Sequence, residues 1–493
     1  MSLPITGLNI SVHHGYVYIG PEPFQGDAEA SAARFERMKE ITGELASTVL
    51  ADWQQIFEPR VLAIAAHIQS FDFEAATLQE AARFIAGFEE LMTEIWDIHM
   101  RVNIPPMNAV FGFEEMLSHV LGEEVLDDAR RLLQGFPNKS LETGAALWAL
   151  SRWIRADQAL TAAVLAARVR GGQVEMEDVG AKAEFSRRWQ QFLDTYGWRS
   201  DMFFEIGHKS WREDPSSPLS QLKRFIARED AEDPYRTHAE QVADRTRLER
   251  EFAERLPEPV RPVFHALLPM AQQYVPIAED HNFTIDQKFV MVTRDVFLRF
   301  GRKLVAAGLL REAEDVFYVL YDELCALADG PPNTDLKKLV RQRHQTRIAQ
   351  GQLKPPPMLG TAPPADLPPD PLVTKFFGMG AKMSTDSRIV TGYPCSGGTV
   401  TGVARVIMSL DDADRLQPGE ILVCQMTMPP WTPLFGFAGG VVADSGGPLS
   451  HCAIVAREYR IPCVAGTVVG TAVIRDGAHI RVDGSAGTVA ILD

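Results

Sequence analysis

Ser445-Gly446-Gly447-Pro448-Leu449-Ser450-His451-Cys452-Ala453-Ile454-Val455-Ala456-Arg457-Glu458 is the stretch on which the rest of the chain hangs. The run Gly440-Val441-Val442-Ala443 before it has strand character, and the glycines supply a turn. The Ala/Ile/Val run closing on Arg-Glu predicts a short helix over Cys452–Tyr459. His451 then stands at or beside a helix N-terminus, where unpaired backbone N–H groups and the helix dipole favour an attached anion. Neutral imidazole is a competent nucleophile near pH 7, so these residue types point to a histidine that carries a phosphoryl group. A Ser450-His451 hydrolase pair fits less well, because adjacent turn residues project apart and no acidic orienter is identifiable. His451, Cys452 and Cys463 lack zinc-ligand spacing, and no metal site is expected.

Around this stretch, from about Arg388 onward, short β-branched runs alternate with turns. Strands are predicted at Val400–Ile407, Ile421–Cys424, Gly440–Ala443, Cys463–Ala465, His479–Val482 and Val489–Leu492, and a second short helix at Leu410–Leu416. Upstream, Pro355-Pro356-Pro357, Pro363-Pro364 and Pro368-Pro369 favour extended geometry and mark a linker over residues 351–387. Residues 1–350 have a different texture. After a glycine-bounded strand or hairpin at Gly7–Gly20, apolar residues recur at helical spacing. Leu78, Ala82, Ile85, Phe88, Met92, Ile95, His99 and Val102 predict one long helix, with further helices at Phe113–Leu133, Gly144–Val169, Pro259–Tyr274 and Asp286–Ala307 among others. The expected fold is multidomain, α and α/β: a mainly helical domain (1–350), a proline-rich linker (351–387) and a compact C-terminal domain (388–493).

The 493 residues suffice for at least two cores, and the net charge of −16 argues against general nucleic-acid binding. The N-terminus lacks signal-peptide features, and no apolar run nears the roughly 18 residues of a membrane span. Five cysteines, mostly in apolar strand-like contexts, fit free thiols in a reducing cytoplasm. There is no P-loop pattern and no GxGxxG after a strand.

Gly446 through Thr467 resembles the swivelling phosphohistidine domain shared by phosphoenolpyruvate synthase, pyruvate phosphate dikinase and rifampicin phosphotransferase. The resemblance implies a β/β/α phosphohistidine domain with His451 as the phosphorylated nucleophile and Arg457 and Glu458 on the helix after it. Leu449, where the synthases usually have threonine, is closer to the rifampicin phosphotransferase-like branch. So, more loosely, are Tyr196-Gly197-Trp198-Arg199 with Trp211-Arg212-Glu213-Asp214-Pro215, and Tyr274 through His281, in which Ala278 replaces a usual arginine. Neither the branch's ATP-grasp domain nor a pyruvate-binding barrel is recognisable. The resemblance therefore implies a two-component arrangement, like that of phenylphosphate synthase, in which an ATP-grasp partner using ATP and Mg²⁺ loads His451.

On this reading His451 passes its phosphoryl group to a small phenolic hydroxyl bound in the helical domain. Arg199 is the expected phosphoryl-stabilising residue, and His13 and His14 are candidate bases if the opening strands cover the site. Trp96, His99, Glu205, His208, Trp211 and Glu279 are the expected substrate contacts, with Trp96 and His99 lining an aromatic pocket. Core packing is the plainer role for Trp96 and His99. Inactivation of a larger antibiotic by the same chemistry, or a phosphocarrier or regulatory protein with a helical docking surface, are the competing functions.

Overall fold

The structure is a computed structural model. It describes every residue except 1–4, 24–25, 203–204, 229–232, 234–237, 354, 357–358, 361–371, 379, 381–383 and 385. Most of the predicted linker therefore lies outside the described residues.

The C-terminal region is built on an eight-stranded mixed sheet. With the hairpin β1 (Ile5–His13) and β2 (Tyr16–Pro23) and the small ribbon β3 (Arg168–Arg170) and β4 (Gln173–Glu175) numbered first, its strands are β5 (Ile389–Thr391), β6 (Tyr393–Ser396), β7 (Thr399–Val406), β8 (Ile421–Cys424), β9 (Gly440–Ala443), β10 (Cys463–Ala465), β11 (His479–Asp483) and β12 (Thr488–Ile491). The order is β5-β12-β11-β7-β8-β9-β10-β6. The four middle strands β7 to β10 are parallel and the flanking ones antiparallel. All residues of β8 and β9 are buried, as strands covered on both faces must be. Alternation sorts them: Ile421, Val423 and Val442 face a core made by the sheet itself. Leu422, Cys424, Val441 and Ala443 face the opposite way, into a second core.

That second core is shared. It continues into Leu147, Trp148, Leu150, Phe192, Trp211, Leu222 and Phe225 of the helical region, so the two domains are packed together. Polar contacts fix the register of the docking. Arg130 pairs with Glu114 at 2.8 Å and donates to the Pro394 carbonyl at 3.0 Å, and Lys375 reaches Glu114 from the other side at 2.7 Å. Arg224 donates to the Ala413 and Leu416 carbonyls, each at 2.6 Å.

The helical region departs from the predicted spans where local chemistry breaks the periodicity. The predicted Leu78–Val102 helix is two, Leu78–Ala86 and Phe88–Leu121, divided at Gly87. The second then runs through Pro105 and Pro106, both buried among Val102, Met107 and Val110. Burial of that face outweighs the roughly 3 kcal/mol that a helix-interior proline costs. Gly122, at φ 94°, ends this helix inside the predicted Phe113–Leu133 span. The predicted Gly144–Val169 helix stops at Arg155, resumes over Gln158–Ala166, and gives way to β3, whose ribbon turns at Gly171-Gly172. Past Gln272 the chain folds as the helix Tyr274–His281, a π-helical stretch Asn282–Phe289 and the helix Val290–Ala306. No helix among the described residues is long and apolar enough to cross a membrane.

Candidate active site

His451 is the first residue of the helix His451–Glu458. Ser450 caps that helix: its hydroxyl donates to the Gly447 carbonyl at 2.7 Å and accepts from Ala453 N at 3.4 Å. The turn before it lies against the segment leading into the domain, with Gly446 N, Gly447 N and Leu449 N donating to the carbonyls of Phe377, Phe376 and Lys375. A Cβ on Gly447 would stand 2.4 Å from the Lys375 carbonyl oxygen, so this approach requires glycine. Arg457, fully buried on the same helix, ties down the start of the turn by donating to the Pro448 and Cys395 carbonyls, both at 2.8 Å.

The imidazole of His451 faces the helical domain with 13% of its surface exposed. Its Nδ1 lies 3.0 and 3.1 Å from the two carboxylate oxygens of Glu279. A carboxylate can only accept, so Nδ1 carries the proton and the lone pair is on Nε2. Nε2 is 3.4 Å from the Thr432 hydroxyl. Glu279 is itself buried, on the helix Tyr274–His281, and accepts a short hydrogen bond from the Ser140 hydroxyl. Burial pushes its carboxyl up, but His451, the Ser140 hydroxyl and the Arg199 charge outweigh this and hold it below its ordinary value. The same helix reaches the histidine turn a second time, where the Tyr274 hydroxyl donates to the Leu449 carbonyl at 2.9 Å.

Arg199 is fully buried. Its Nε and Nη2 donate to the Thr143 hydroxyl at 3.3 and 3.0 Å, and Nη2 to the Lys139 carbonyl at 3.1 Å. Its charge lies over the Phe283 ring at 4.9 Å, while Nη1 has no hydrogen-bond partner. Burial lowers its pKa to about 10, against the pull of Glu279. Asp280, next to Glu279, accepts from Lys139 N at 2.9 Å, and burial pushes its carboxyl up to about 7.

The other expected contacts are distributed. Trp211 is buried in the shared core, with its indole N–H on Asp201 at 2.7 Å and its ring stacked on Phe192. Glu205 forms an ion pair with Arg347 at 2.7 Å, and His208 is exposed, with Nδ1 near the Ser200 hydroxyl and the Lys209 carbonyl. Trp96 packs edge-on against His99, which faces Asp286 rather than His451. His13 and His14 are exposed at the β1–β2 turn. The tyrosines of β2 place this hairpin over Gln350–Pro356: Tyr16 donates to the Leu353 carbonyl at 2.7 Å and Tyr18 to the Pro356 carbonyl at 3.0 Å. Among the described residues, no hydrogen bond joins either histidine to the His451 site. The cleft where the domains meet, about 600 Å³, is lined by charged residues including Asp127, Arg131, Asp244, Arg247, Arg457 and Arg460, and its lining does not include His451.

Ser140, Thr432 and Asp280 were not expected from the sequence. Asp280 alone carried a signal, its place beside Glu279 in a motif-bearing segment.

The histidine thus stands at a helix start with Nδ1 held by a buried carboxylate, which leaves the Nε2 lone pair, beside the Thr432 hydroxyl, as the ring's nucleophilic position. In the comparison with known proteins, residues 99–279 match the model of the rifampicin phosphotransferase fourth domain, and residues 416–487 that of the PEP-utilising enzyme mobile domain. The chain belongs to the PEP-utilising family, with the helical region of its rifampicin phosphotransferase-like branch. It is 31% identical to chondramide synthase cmdD of Chondromyces crocatus, over 99% of this chain and 13% of that protein. It is 28% identical to the uncharacterized phosphotransferase YvkC of Bacillus subtilis (86% of this chain, 51% of the relative). Identity to the rifampicin phosphotransferase of Streptomyces sviceus is also 28% (82% and 46%). The chain thus spans about half the length of these relatives or less.

Proposed function

We propose that this chain is the phosphohistidine-bearing and acceptor-binding part of an ATP-dependent phosphotransferase, and that it moves a phosphoryl group through His451 to the hydroxyl of a small aromatic compound. The observation that carries the reading is the contact of Glu279 with His451 Nδ1 at 3.0 Å in the docked domain. In the loading step the Nε2 lone pair attacks the β-phosphorus of ATP, bound with Mg²⁺ by an ATP-grasp unit outside these residues. A P–N bond forms as the bond to the rest of the nucleotide breaks, and water accounts for the second phosphate, giving AMP and phosphate. The domain then docks as described above.

In the second step the acceptor oxygen attacks phosphorus and the P–N bond breaks toward Nε2. Glu279 matters here because it keeps the proton on Nδ1. The ring therefore leaves as neutral imidazole rather than as imidazolate, a far poorer leaving group. The acceptor's own proton must go to a base or to solvent. A phenol, with a pKa near 10, is an undemanding acceptor. The relatives named rifampicin phosphotransferase favour a second reading, in which the acceptor is a larger antibiotic carrying such a hydroxyl.

Potassium phosphoramidate phosphorylates accessible imidazoles directly, with loss of ammonia, so the first test needs no partner. Treated chain should gain one acid-labile phosphoryl group on His451, seen by intact mass at neutral pH and absent in His451→Ala. Added phenols or rifamycins should then discharge it with formation of the corresponding phosphate ester. An adduct on His451 that only water discharges would sink the acceptor reading and leave a phosphocarrier.

A further inference from the structure

Behind Glu279 lies a second buried cluster that the chemistry above does not use. Two residues along the same helix means about 200° of rotation, so His281 points away from the side that meets His451. Its Nδ1 is 2.6 Å from the Ile277 carbonyl, one turn back, so Nδ1–H donates there and Nε2 bears the lone pair. That lone pair faces a carboxylate, with Nε2 3.9 Å from Asp286 Oδ2. Asp286 is 4% exposed and stands on the π-helical stretch Asn282–Phe289, a geometry often found at functional sites. Its Oδ2 receives Asn282 Nδ2 at 3.0 Å, whereas the buried Oδ1 accepts no hydrogen bond. From the opposite side the helix Phe88–Leu121 contributes His99, whose Nε2 is 3.4 Å from that same Oδ1. The two imidazole rings pack edge to face at 4.9 Å.

Two imidazole nitrogens and one carboxylate oxygen thus converge, all within 4.8 Å of one another, in the interior. A buried carboxylate oxygen with no donor is costly. Ligand atoms bonded to one tetrahedral ion at about 2.0–2.2 Å lie about 3.3–3.6 Å apart; the His99–Asp286 pair already has this spacing at 3.4 Å, and the wider separations, up to 4.8 Å, would close on binding. The His281 Nδ1–H bond to a backbone carbonyl is the kind of outer contact that fixes a metal-binding tautomer. Nitrogen donors select zinc-like cations over Mg²⁺ or Ca²⁺, which prefer all-oxygen sites.

We propose that His99 Nε2, His281 Nε2 and the Asp286 carboxylate form a site for one first-row divalent cation of the zinc type, joining the helix Phe88–Leu121 to the segment that carries Glu279. A single coordination position is left for water.

The test uses the full chain, stripped with a chelator and dialysed against Zn²⁺ or Co²⁺. Elemental analysis should find about one Zn²⁺ per chain. Co²⁺ should give the strong ligand-field bands of a tetrahedral site, and Zn²⁺ should raise the melting temperature. Asp286→Asn and His281→Gln should lose all three, while His451→Asn, which contributes no ligand atom to the cluster, should keep them. A wild-type chain that takes up no Zn²⁺, or an Asp286→Asn chain that binds as well as wild type, overturns the proposal. The wild-type stoichiometry decides even if a variant fails to fold. In that outcome the His99–Asp286 contact is a proton-sharing pair.

Discussion

His451 and the wall it faces are made in opposite ways. The histidine turn is one contiguous run, Gly446 to His451, whose glycines, serine cap and helix start are neighbours in sequence. The wall is assembled from distant pieces: Glu279 lies 172 residues from His451 and 139 from its own hydroxyl partner Ser140. A turn of this kind is specified by local conformation, whereas the wall exists only when the helices pack and the domain docks. The nucleophile should therefore survive perturbations that abolish transfer, and each prediction below tries that separation.

The largest effect is expected from His451→Ala, which removes phosphoryl capture altogether, as read by intact mass and by ³¹P NMR after phosphoramidate treatment. Glu279→Gln should then divide the two regions. A glutamine offers Nδ1 a donor as readily as an acceptor, so the tautomer is no longer fixed. Transfer to an aromatic hydroxyl should fall by about 10²–10⁴-fold while His451 still accepts a phosphoryl group from phosphoramidate. Equal loss of both steps would mean that the carboxylate supports the turn itself rather than the ring's proton. Gly447→Ala strikes the turn from its other side. Its methyl group meets the Lys375 carbonyl, which should cost about 1–3 kcal/mol in thermal or denaturant unfolding.

Docking should also have an acid and a neutral limb. Burial pushes the Glu114 carboxyl up, but Arg130 and Lys375 outweigh it and hold it at about 2. A depressed folded value stabilises above the ordinary 4.5, and that contribution is lost as pH falls from about 4.5 toward 2. Glu458, which accepts from Gly135 N at 3.1 Å across the domain boundary, is pushed by burial up to about 7. There the folded state holds the extra proton, so its contribution is lost as pH rises from about 4.5 to 7. Docking should be tightest near pH 5, measurable by hydrogen exchange at the Gly135 amide, which donates to Glu458 across the boundary. Glu114→Gln should flatten the acid limb and Glu458→Gln the neutral one. The smallest effect is expected from His13→Ala with His14→Ala, under twofold on transfer, because the hairpin sits over Gln350–Pro356 and not over the site.

The same division governs what could be read in advance. β8, β9 and β10 fall where runs such as Ile421–Cys424 place them, because strands buried on both faces have little sequence freedom. β5 and β6, short and interrupted by Gly392 and Pro394, gave no such run. In the helical region, periodicity located helices but not their breaks, since Gly87 ended one quietly while Pro105-Pro106 ended none. Of the site, His451 was legible in its turn and Glu279 in its segment. Ser140 and Thr432 were not, because a lone hydroxyl has no pattern until packing brings it to a partner. The His99, His281 and Asp286 cluster was invisible for the same reason: its donors come from two segments far apart in the chain, without zinc-ligand spacing.

The backbone pairing of Lys375–Phe377 with Gly446–Leu449 has a mechanical consequence. The connection into the domain is covalently continuous to β5 at Ile389, yet it is already fastened at the reactive histidine's own turn. A displacement of Lys375–Phe377 therefore reaches the His451 turn directly, through the three backbone hydrogen bonds from Gly446, Gly447 and Leu449, without passing through any strand of the sheet.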